Sequence, residues 1–241
     1  MSITTFLTSS PTGDYDGQYK SEGIDNRNHF LDELKKVYVG GKVLMITAFP
    51  NEIERNDEMI SFFRNAFDIS SLKYTSFDLW DCRTDYSEVI KEYSLIILGG
   101  GHVPTQNQFF KEIHLKELLK DYNGIVIGIS AGTMNCAEVV YVQPEEEGES
   151  SPSFNRFIEG LGLSEIQVLP HYQVTKHFYL DGKRLYEDIT YIDSFNHRFI
   201  CINDGSYIIV KEGHHYLYGE GYKIEDGHLS LINENNQVLE L

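Results

Sequence analysis

The sequence feature with the clearest chemistry is a serine that stands between two glycines after an apolar run. Residues 125–134 read Ile-Val-Ile-Gly-Ile-Ser-Ala-Gly-Thr-Met, so Ser130 lies in a Gly-x-Ser-x-Gly pattern. A strand, a sharp turn and a helix make such a serine a nucleophile elbow, with its hydroxyl lifted out of the sheet. The N–H groups of the following helix would then face a developing oxyanion. The alternative is an ordinary glycine-rich turn whose serine does no chemistry.

A serine nucleophile needs a base to take its proton, and His171 is the best-placed histidine. It lies in Val-Leu-Pro-His-Tyr, directly after an apolar run that predicts a strand. The carboxyl ends of parallel strands are where an open α/β fold places its chemistry. His177 lies in the same segment and is the main competitor. We therefore predict His171 as the base.

The base needs an acid that fixes its tautomer, and Asp204 is our candidate. It stands in Asn-Asp-Gly between two apolar runs. An Asp-Gly pair at such a place can equally be a simple hairpin turn. Asp193 and Glu220 are the alternatives. The resulting chain order of serine, histidine and acid differs from the order in α/β-hydrolases, which disfavours that superfamily.

A glycine triplet, Gly99–Gly101, follows the apolar run Leu95–Leu98 and precedes a predicted helix. Such a turn lets backbone approach a ligand and can offer an N–H group to an oxyanion; the alternative is a plain tight turn. The sequence lacks a dinucleotide-binding Gly-x-Gly-x-x-Gly, a P-loop, His-Glu-x-x-His and closely spaced cysteine pairs. We therefore predict no cofactor and no metal.

Together these segments resemble the peptidase E (aspartyl dipeptidase) and cyanophycinase family of serine peptidases. The resemblance extends from about Lys42 to Gly219 and includes the glycine triplet, Gly-Ile-Ser-Ala-Gly, Leu-Pro-His-Tyr and Asn-Asp-Gly-Ser-Tyr. It implies a fold like that of class I glutamine amidotransferases, with serine instead of cysteine at the elbow. It also implies hydrolysis of a short peptide through an acyl-enzyme.

The resemblance implies a role for each matching residue. Ser130 would be the nucleophile and His171 the base, and the N–H groups of Gly101 and Ala131 would form the oxyanion hole. Asp204 stands where peptidase E carries a glutamate as the third member, so the acid is kept on a shorter side chain.

The substrate implied by the resemblance is a peptide with an N-terminal aspartate, whose carboxylate calls for a nearby cation. Arg184 lies where the family has a basic side chain and is the candidate, although a surface arginine at a helix start is the alternative. Peptidase E continues its glycine turn with Asn-Thr, whereas here His102 begins a different segment. We therefore expect His102 to border the substrate.

Apolar strands alternate with amphipathic helices along the first two thirds of the chain. This pattern predicts a three-layer α/β/α domain with a mostly parallel central sheet. Five short segments between Phe199 and Ile232, separated by glycines, predict a C-terminal antiparallel ribbon. We expect one domain over residues 1–241, with residues 1–27 as an N-terminal extension.

Three further predictions concern helices, and a fourth concerns a loop. Residues 106–119 carry two apolar stripes, which indicates either a helix covered on two sides or a bend midway. Tyr86–Glu92 is predicted as a short helix and Lys183–Ile192 as a longer one. The acidic stretch Pro144–Pro152 is interpreted as a solvated loop, with the alternative that it reaches the site.

Composition and charge narrow the functional classes. The net charge of −17 argues against nucleic acid and anionic membranes as partners. No apolar run is long enough to span a membrane, and the three cysteines are widely spread. We expect a cytoplasmic location and a small peptide as the partner. Pairing with a second copy of the chain stays open.

Three other functions remain in competition at this point. Glutamine amidotransferase activity would need Cys136 as its nucleophile, since Ser130 occupies the elbow. A binding or regulatory protein without turnover would keep the fold alone. An esterase would use the same machinery on small acyl esters.

Overall fold

The computed structural model describes residues 3–13, 23–86 and 90–241. The predicted N-terminal extension, residues 1–27, lies partly outside these ranges. So does the predicted helix Tyr86–Glu92, of which Ile90–Glu92 is described and forms a single 3-10 turn.

The strands alternate with helices in the first half of the described chain and dominate the second half. They are β1 (Thr4–Thr8), β2 (Lys42–Ile46), β3 (Ser76–Trp80), β4 (Tyr93–Leu98), β5 (Ile125–Ile129), β6 (Val139–Tyr141), β7 (Phe157–Glu159), β8 (Gln167–Leu169), β9 (Tyr179–Leu180), β10 (Lys183–Arg184), β11 (Arg198–Ile202), β12 (Tyr207–Lys211), β13 (His214–Tyr218), β14 (Gly221–Glu225), β15 (His228–Asn233) and β16 (Val238–Glu240).

Seven α-helices accompany these strands within the described ranges. They are α1 (Phe30–Val37), α2 (Ile53–Ile69), α3 (Val103–Glu112), α4 (Leu115–Leu119), α5 (Ala131–Asn135), α6 (Tyr172–Thr175) and α7 (Tyr191–Asp193). In the described part of the chain, none of them has the length and apolarity that crossing a membrane requires.

The central sheet has eight strands in the order β16-β13-β12-β1-β5-β4-β2-β3. Strands β1 to β5 pair in parallel, and β12, β13 and β16 extend the sheet in antiparallel fashion. The mostly parallel sheet expected from the sequence is therefore present. Strand β1 lies in the middle, between parallel β5 and antiparallel β12, so the sheet changes its pairing direction at β1.

Both faces of the sheet are covered, because alternate side chains of each buried strand point to opposite faces. In β2, Val43 and Met45 join the apolar cluster beneath α1 and α2. Leu44 and Ile46 join the cluster on the other face, with α3 and α4. This arrangement makes the three layers and explains why the buried strands read as continuous apolar runs.

The C-terminal strands divide between two sheets rather than forming a single ribbon. Strands β12, β13 and β16 complete the central sheet, while β11, β14 and β15 join β8 in a four-stranded sheet of order β15-β14-β11-β8. Asp204 lies in the connection between β11 and β12, and therefore at the point where the chain passes from one sheet to the other.

Two helix predictions are refined by the structure. The segment 106–119 bends midway, since His114 has a φ of 54° and separates α3 from α4. The predicted helix Lys183–Ile192 is wrong at its start, because Lys183 and Arg184 form strand β10 with β9. A π-helical turn, Leu185–Thr190, then leads into α7. An arginine and lysine after Asp-Gly fit a hairpin as well as a helix start.

Candidate active site

Ser130 stands at the sharp turn between β5 and α5. Its φ of 51° and ψ of −111° place it in a region that non-glycine residues rarely adopt. The turn is held from inside, since the Ser130 N–H donates to the carbonyl of Thr8 at 3.1 Å and the Ser130 carbonyl accepts the N–H of Met134. Strained backbone of this kind persists only where the surrounding structure fixes it.

The two glycines of the pattern are required by close approach of the backbone. A Cβ at Gly128 would lie 2.7 Å from Cα of Thr133, and a Cβ at Gly132 would lie 2.2 Å from the carbonyl oxygen of Leu98. Neither neighbour can move, because both are backbone atoms of packed elements. The elbow therefore requires glycine at both positions.

The glycine triplet Gly99–Gly101 lies against this elbow. A Cβ at Gly100 would come within 3.4 Å of Cβ of Ser130. Gly101 has a φ of 156°, and a Cβ there would lie 2.6 Å from Cβ of Ala48. The glycine turn and the first turn of α5, where Ala131 stands, therefore lie next to Ser130.

His171 and Asp204 are in direct contact. Nδ1 of His171 lies 2.7 Å from Oδ1 of Asp204, and the Asp204 side chain is only 1 % exposed. The Asp204 N–H donates to Oε1 of Gln173 at 3.0 Å, which orients the turn that carries the carboxylate. The alternative acids are used elsewhere: Asp193 accepts from Tyr141 and Arg156, and Glu220 from Asn203 and Tyr222.

The Ser130 hydroxyl has no hydrogen-bond partner among the described residues. It is half-buried, and the His171 side chain is 23 % exposed. Hydrogen bonds between a nucleophile and its base are often formed only in the substrate complex. His177, the competing histidine, lies on the exposed turn after α6.

The end of β1 connects the elbow to the rest of the site. Thr133 Oγ1 accepts the N–H of Thr8 at 2.8 Å and donates to its carbonyl at 2.7 Å. The Thr8 hydroxyl donates to the carbonyl of Gly128 at 2.6 Å. These three bonds fasten α5 and β5 to the last residue of β1.

The next residue, Ser9, contacts both members of the acid–base pair and was missed in the sequence. Its buried hydroxyl donates to Oδ1 of Asp204 at 2.5 Å and accepts the backbone N–H of His171 at 2.7 Å. It also lies 3.1 Å from Nδ1 of His171. The signal was present: Ser9 and Ser10 directly follow the first strand, at the carboxyl end where strands of an α/β fold carry function.

The acidic stretch is exposed to solvent at residues 145–148, as the sequence indicated, and it also contacts His102 through Glu149. Oε1 of Glu149 lies 3.2 Å from Nε2 of His102, whose Nδ1 lies 2.8 Å from Oγ1 of Thr105. The other Glu149 oxygen accepts the N–H groups of Glu145 and Glu146. His102, predicted to border the substrate, thus follows the glycine turn and has both ring nitrogens occupied.

The charge of this loop is concentrated beside His102. Burial raises the pKa of the Glu145 carboxyl, and the Glu149 and Glu146 carboxylates raise it further, against the opposing effect of His102 and His171. Donor atoms of His102, Glu146 and Glu149 lie within 4.8 Å of one another. Since both Glu149 oxygens already accept hydrogen bonds, we assign no metal to this group.

Arg184, the candidate for binding a substrate carboxylate, is engaged by its own neighbour. Its Nε and Nη2 donate to the two oxygens of Asp188, at 3.0 and 2.6 Å. The guanidinium holds the pKa of Asp188 down to about 2. The positive charge of Arg184 is therefore already paired.

Cys136 cannot serve as an alternative nucleophile. It is fully buried, its thiol donates to the carbonyl of Gly132, and burial raises its pKa far above the ordinary value. A cysteine nucleophile needs an accessible thiolate. The glutamine amidotransferase reading therefore lacks its nucleophile.

The model of a family described as "Peptidase family S51" matches residues 19–217. The comparison with curated proteins found no match.

Two solved structures share the fold over nearly the whole chain. One is a peptidase from an acI-B1 actinobacterium, at 16% identity and a TM-score of 0.69, covering 100% of this chain and 98% of its own. The other is a putative peptidase E protein from Listeria monocytogenes EGD-e, at 16% identity and a TM-score of 0.59, covering 96% and 99%.

Proposed function

The chain belongs to peptidase family S51 and is a serine peptidase, and we propose that it hydrolyses short peptides through Ser130, His171 and Asp204. In this proposal the Ser130 hydroxyl attacks the scissile carbonyl while Nε2 of His171 takes its proton. The amine leaves after receiving that proton from His171, and water then hydrolyses the acyl-enzyme by the same route.

The observation that carries the proposal is a strained serine at the end of β5, while the histidine and its buried acid both bond to Ser9 at the end of the neighbouring β1. Ser130 follows β5, and the 2.7 Å bond between His171 and Asp204 lies beyond β8 and β11. We propose the N–H groups of Gly101 and Ala131 as the oxyanion hole, which the contact of the glycine turn with Ser130 supports.

The experiment that tests the proposal is hydrolysis of a dipeptide panel by the wild type and Ser130→Ala. We expect cleavage by the wild type and a loss of at least about 10³-fold in kcat for the variant, because its nucleophile is absent. A fluorophosphonate should label the wild type at Ser130. Equal turnover by both proteins would remove Ser130 from the mechanism.

The same panel decides the preferred N-terminal residue. The family resemblance predicts Asp-X, but Arg184 is paired with Asp188, and Glu146 and Glu149 of the acidic loop stand near His102. Carboxylates repel an aspartate side chain and attract a lysine side chain. We therefore propose that Lys-X and Ala-X are cleaved faster than Asp-X; fastest cleavage of Asp-X would overturn this preference and leave the peptidase intact.

A further inference from the structure

We propose that Ser9 is a positioning residue of the hydrolytic site, which holds His171 and Asp204 in the arrangement that lets His171 act as a base. The inference rests on the proposed function and adds a fourth side chain to it. Ser9 lies 195 residues before Asp204 and comes from the central strand of the sheet, whereas the pair it contacts comes from the connections after β8 and β11.

The hydrogen bonds around Ser9 are consistent with only one placement of the proton on the His171 ring. Its oxygen accepts the N–H of His171, and its one proton goes to Oδ1 of Asp204. The carboxylate accepts, so the contact between Nδ1 of His171 and the same oxygen requires the proton to be on Nδ1. Nε2 then carries the lone pair that a base needs.

Ser9 also stabilises an unfavourable backbone conformation. His171 has a φ of 55° and a ψ of 30°, the left-handed region in which side chains other than glycine are disfavoured. The 2.7 Å bond from the His171 N–H to the Ser9 hydroxyl is made in that conformation. Without it the N–H would lose its partner in a part-buried position, and the histidine would lose a constraint on its direction.

The short side chain of Asp204 limits how far its carboxylate can reach toward the histidine. Asp204 has one methylene fewer than a glutamate, so its carboxylate stays close to its own turn and the histidine must come to it. Ser9 is fully buried and bonds both partners, which fixes their separation. A single hydroxyl at the end of β1 therefore sets the position of the base relative to the elbow, which Thr8 fastens to the same strand end.

The test is the rate at which a fluorophosphonate labels Ser130, which reports activation of the serine without knowledge of the natural peptide. Ser9→Ala should slow labelling about 10- to 100-fold, the usual effect of losing a hydrogen bond to a charged group. On a cleaved dipeptide, kcat should fall by the same factor with KM within about twofold. Ser10→Ala, a change at the next residue, is the matched control and should label at the wild-type rate.

Two further variants separate positioning from a loss of folding. Ser9→Thr keeps the hydroxyl and should label within about threefold of the wild type. Ser9→Ala should add little to Asp204→Asn, because it acts through Asp204. Labelling by Ser9→Ala at the wild-type rate, full additivity with Asp204→Asn, or labelling by Ser9→Thr as slow as by Asp204→Asn would each overturn the inference. Failure of the wild type to label at Ser130 would instead overturn the proposed function.

Discussion

The two halves of the candidate site are held by different forces. The elbow around Ser130 is fixed by backbone contacts, with Gly128 and Gly132 so close to neighbouring chain that no Cβ fits. The acid–base half is fixed by side-chain hydrogen bonds that join Ser9, His171 and Asp204. The elbow depends mainly on glycines that leave room for neighbouring backbone, with added hydrogen bonds from Thr133, whereas the acid–base half depends on polar side chains.

This difference determines how each half responds to substitution. A larger side chain at the elbow would clash with fixed backbone, so stability and activity should fall together. Loss of a polar atom in the acid–base half leaves the packing in place, so activity should fall with little change in stability. The predictions below test this contrast, from the largest effect to the smallest.

Gly132→Ala should abolish activity and destabilise the protein. The new Cβ would lie 2.2 Å from the Leu98 carbonyl oxygen, so α5 must shift at a cost of at least about 3 kcal/mol. Thermal unfolding and fluorophosphonate labelling measure the two effects. The control is Gly213→Ala, which has open space and a φ of 82° and should lose about 1–2 kcal/mol without losing activity. Wild-type stability of Gly132→Ala would contradict the steric account of the elbow.

Asp204→Asn should lower kcat by about 10³- to 10⁴-fold while leaving the melting temperature nearly unchanged, because the amide favours the wrong tautomer of the histidine. Steady-state kinetics and thermal unfolding measure the two quantities. Glu220→Gln is the control, since Glu220 accepts hydrogen bonds from Asn203 and Tyr222 instead of from His171. Equal losses of kcat in both variants would argue that Asp204 has no special part in the reaction.

Thr133→Val should lower both stability and activity, by less than Gly132→Ala. It removes the two hydrogen bonds with the Thr8 backbone, at a cost of about 1–3 kcal/mol. Thr84→Val removes a similar pair, with Asp81 and Leu79, away from the elbow. We expect comparable losses of unfolding free energy from the two variants and slower labelling of Ser130 in Thr133→Val alone. Unchanged labelling in Thr133→Val would show that the hydrogen bonds with Thr8 do not position the elbow.

Glu149→Gln should shift specificity by a small factor. One carboxylate fewer beside His102 should raise the rate of Asp-X relative to Lys-X about 2- to 5-fold. The control is Glu117→Gln on α4, the helix that leads into the amino end of β5; it should leave the ratio unchanged. A fall in the ratio for Glu149→Gln would show that the loop does not repel acidic substrates.

The same carboxylate makes the loop sensitive to acid. Burial raises the pKa of Glu149. Hydrogen bonds from the N–H groups of Glu145 and Glu146 and from the His102 ring lower it by more, so the net pKa lies below its ordinary value. A lowered pKa stabilises the folded loop above the ordinary pKa, and this stability is lost as the pH falls through the lowered value. Hydrogen exchange at residues 145 and 146 should therefore gain protection between acid and neutral pH in the wild type, and less so in Glu149→Gln.

The contrast between the halves also explains what could be predicted from the sequence. Gly128, Ser130 and Gly132 lie within five residues after an apolar run, so a sharp turn between a strand and a helix could be predicted from local sequence. Ser9 and the Glu149 contact with His102 depend on chain segments that only the folded sheet brings together. Arg184 and Asp188 are only four residues apart, so their pairing is local. Whether residues 183–184 begin a helix or form a strand depends on their pairing with β9, which the local sequence does not reveal.

The central position of β1 in the sheet has a consequence for folding during synthesis. Thr8 pairs with Ile129 on one side and with Tyr207 on the other, so the sheet cannot close until the region around residue 207 has left the ribosome. In the proposed mechanism, Ser130 is therefore synthesised 41 residues before His171 and 74 residues before Asp204, and over that interval it lacks the histidine and the acid that activate it. In that mechanism, peptide-bond cleavage waits for the closure of these long-range contacts, which are the kind that form late in folding.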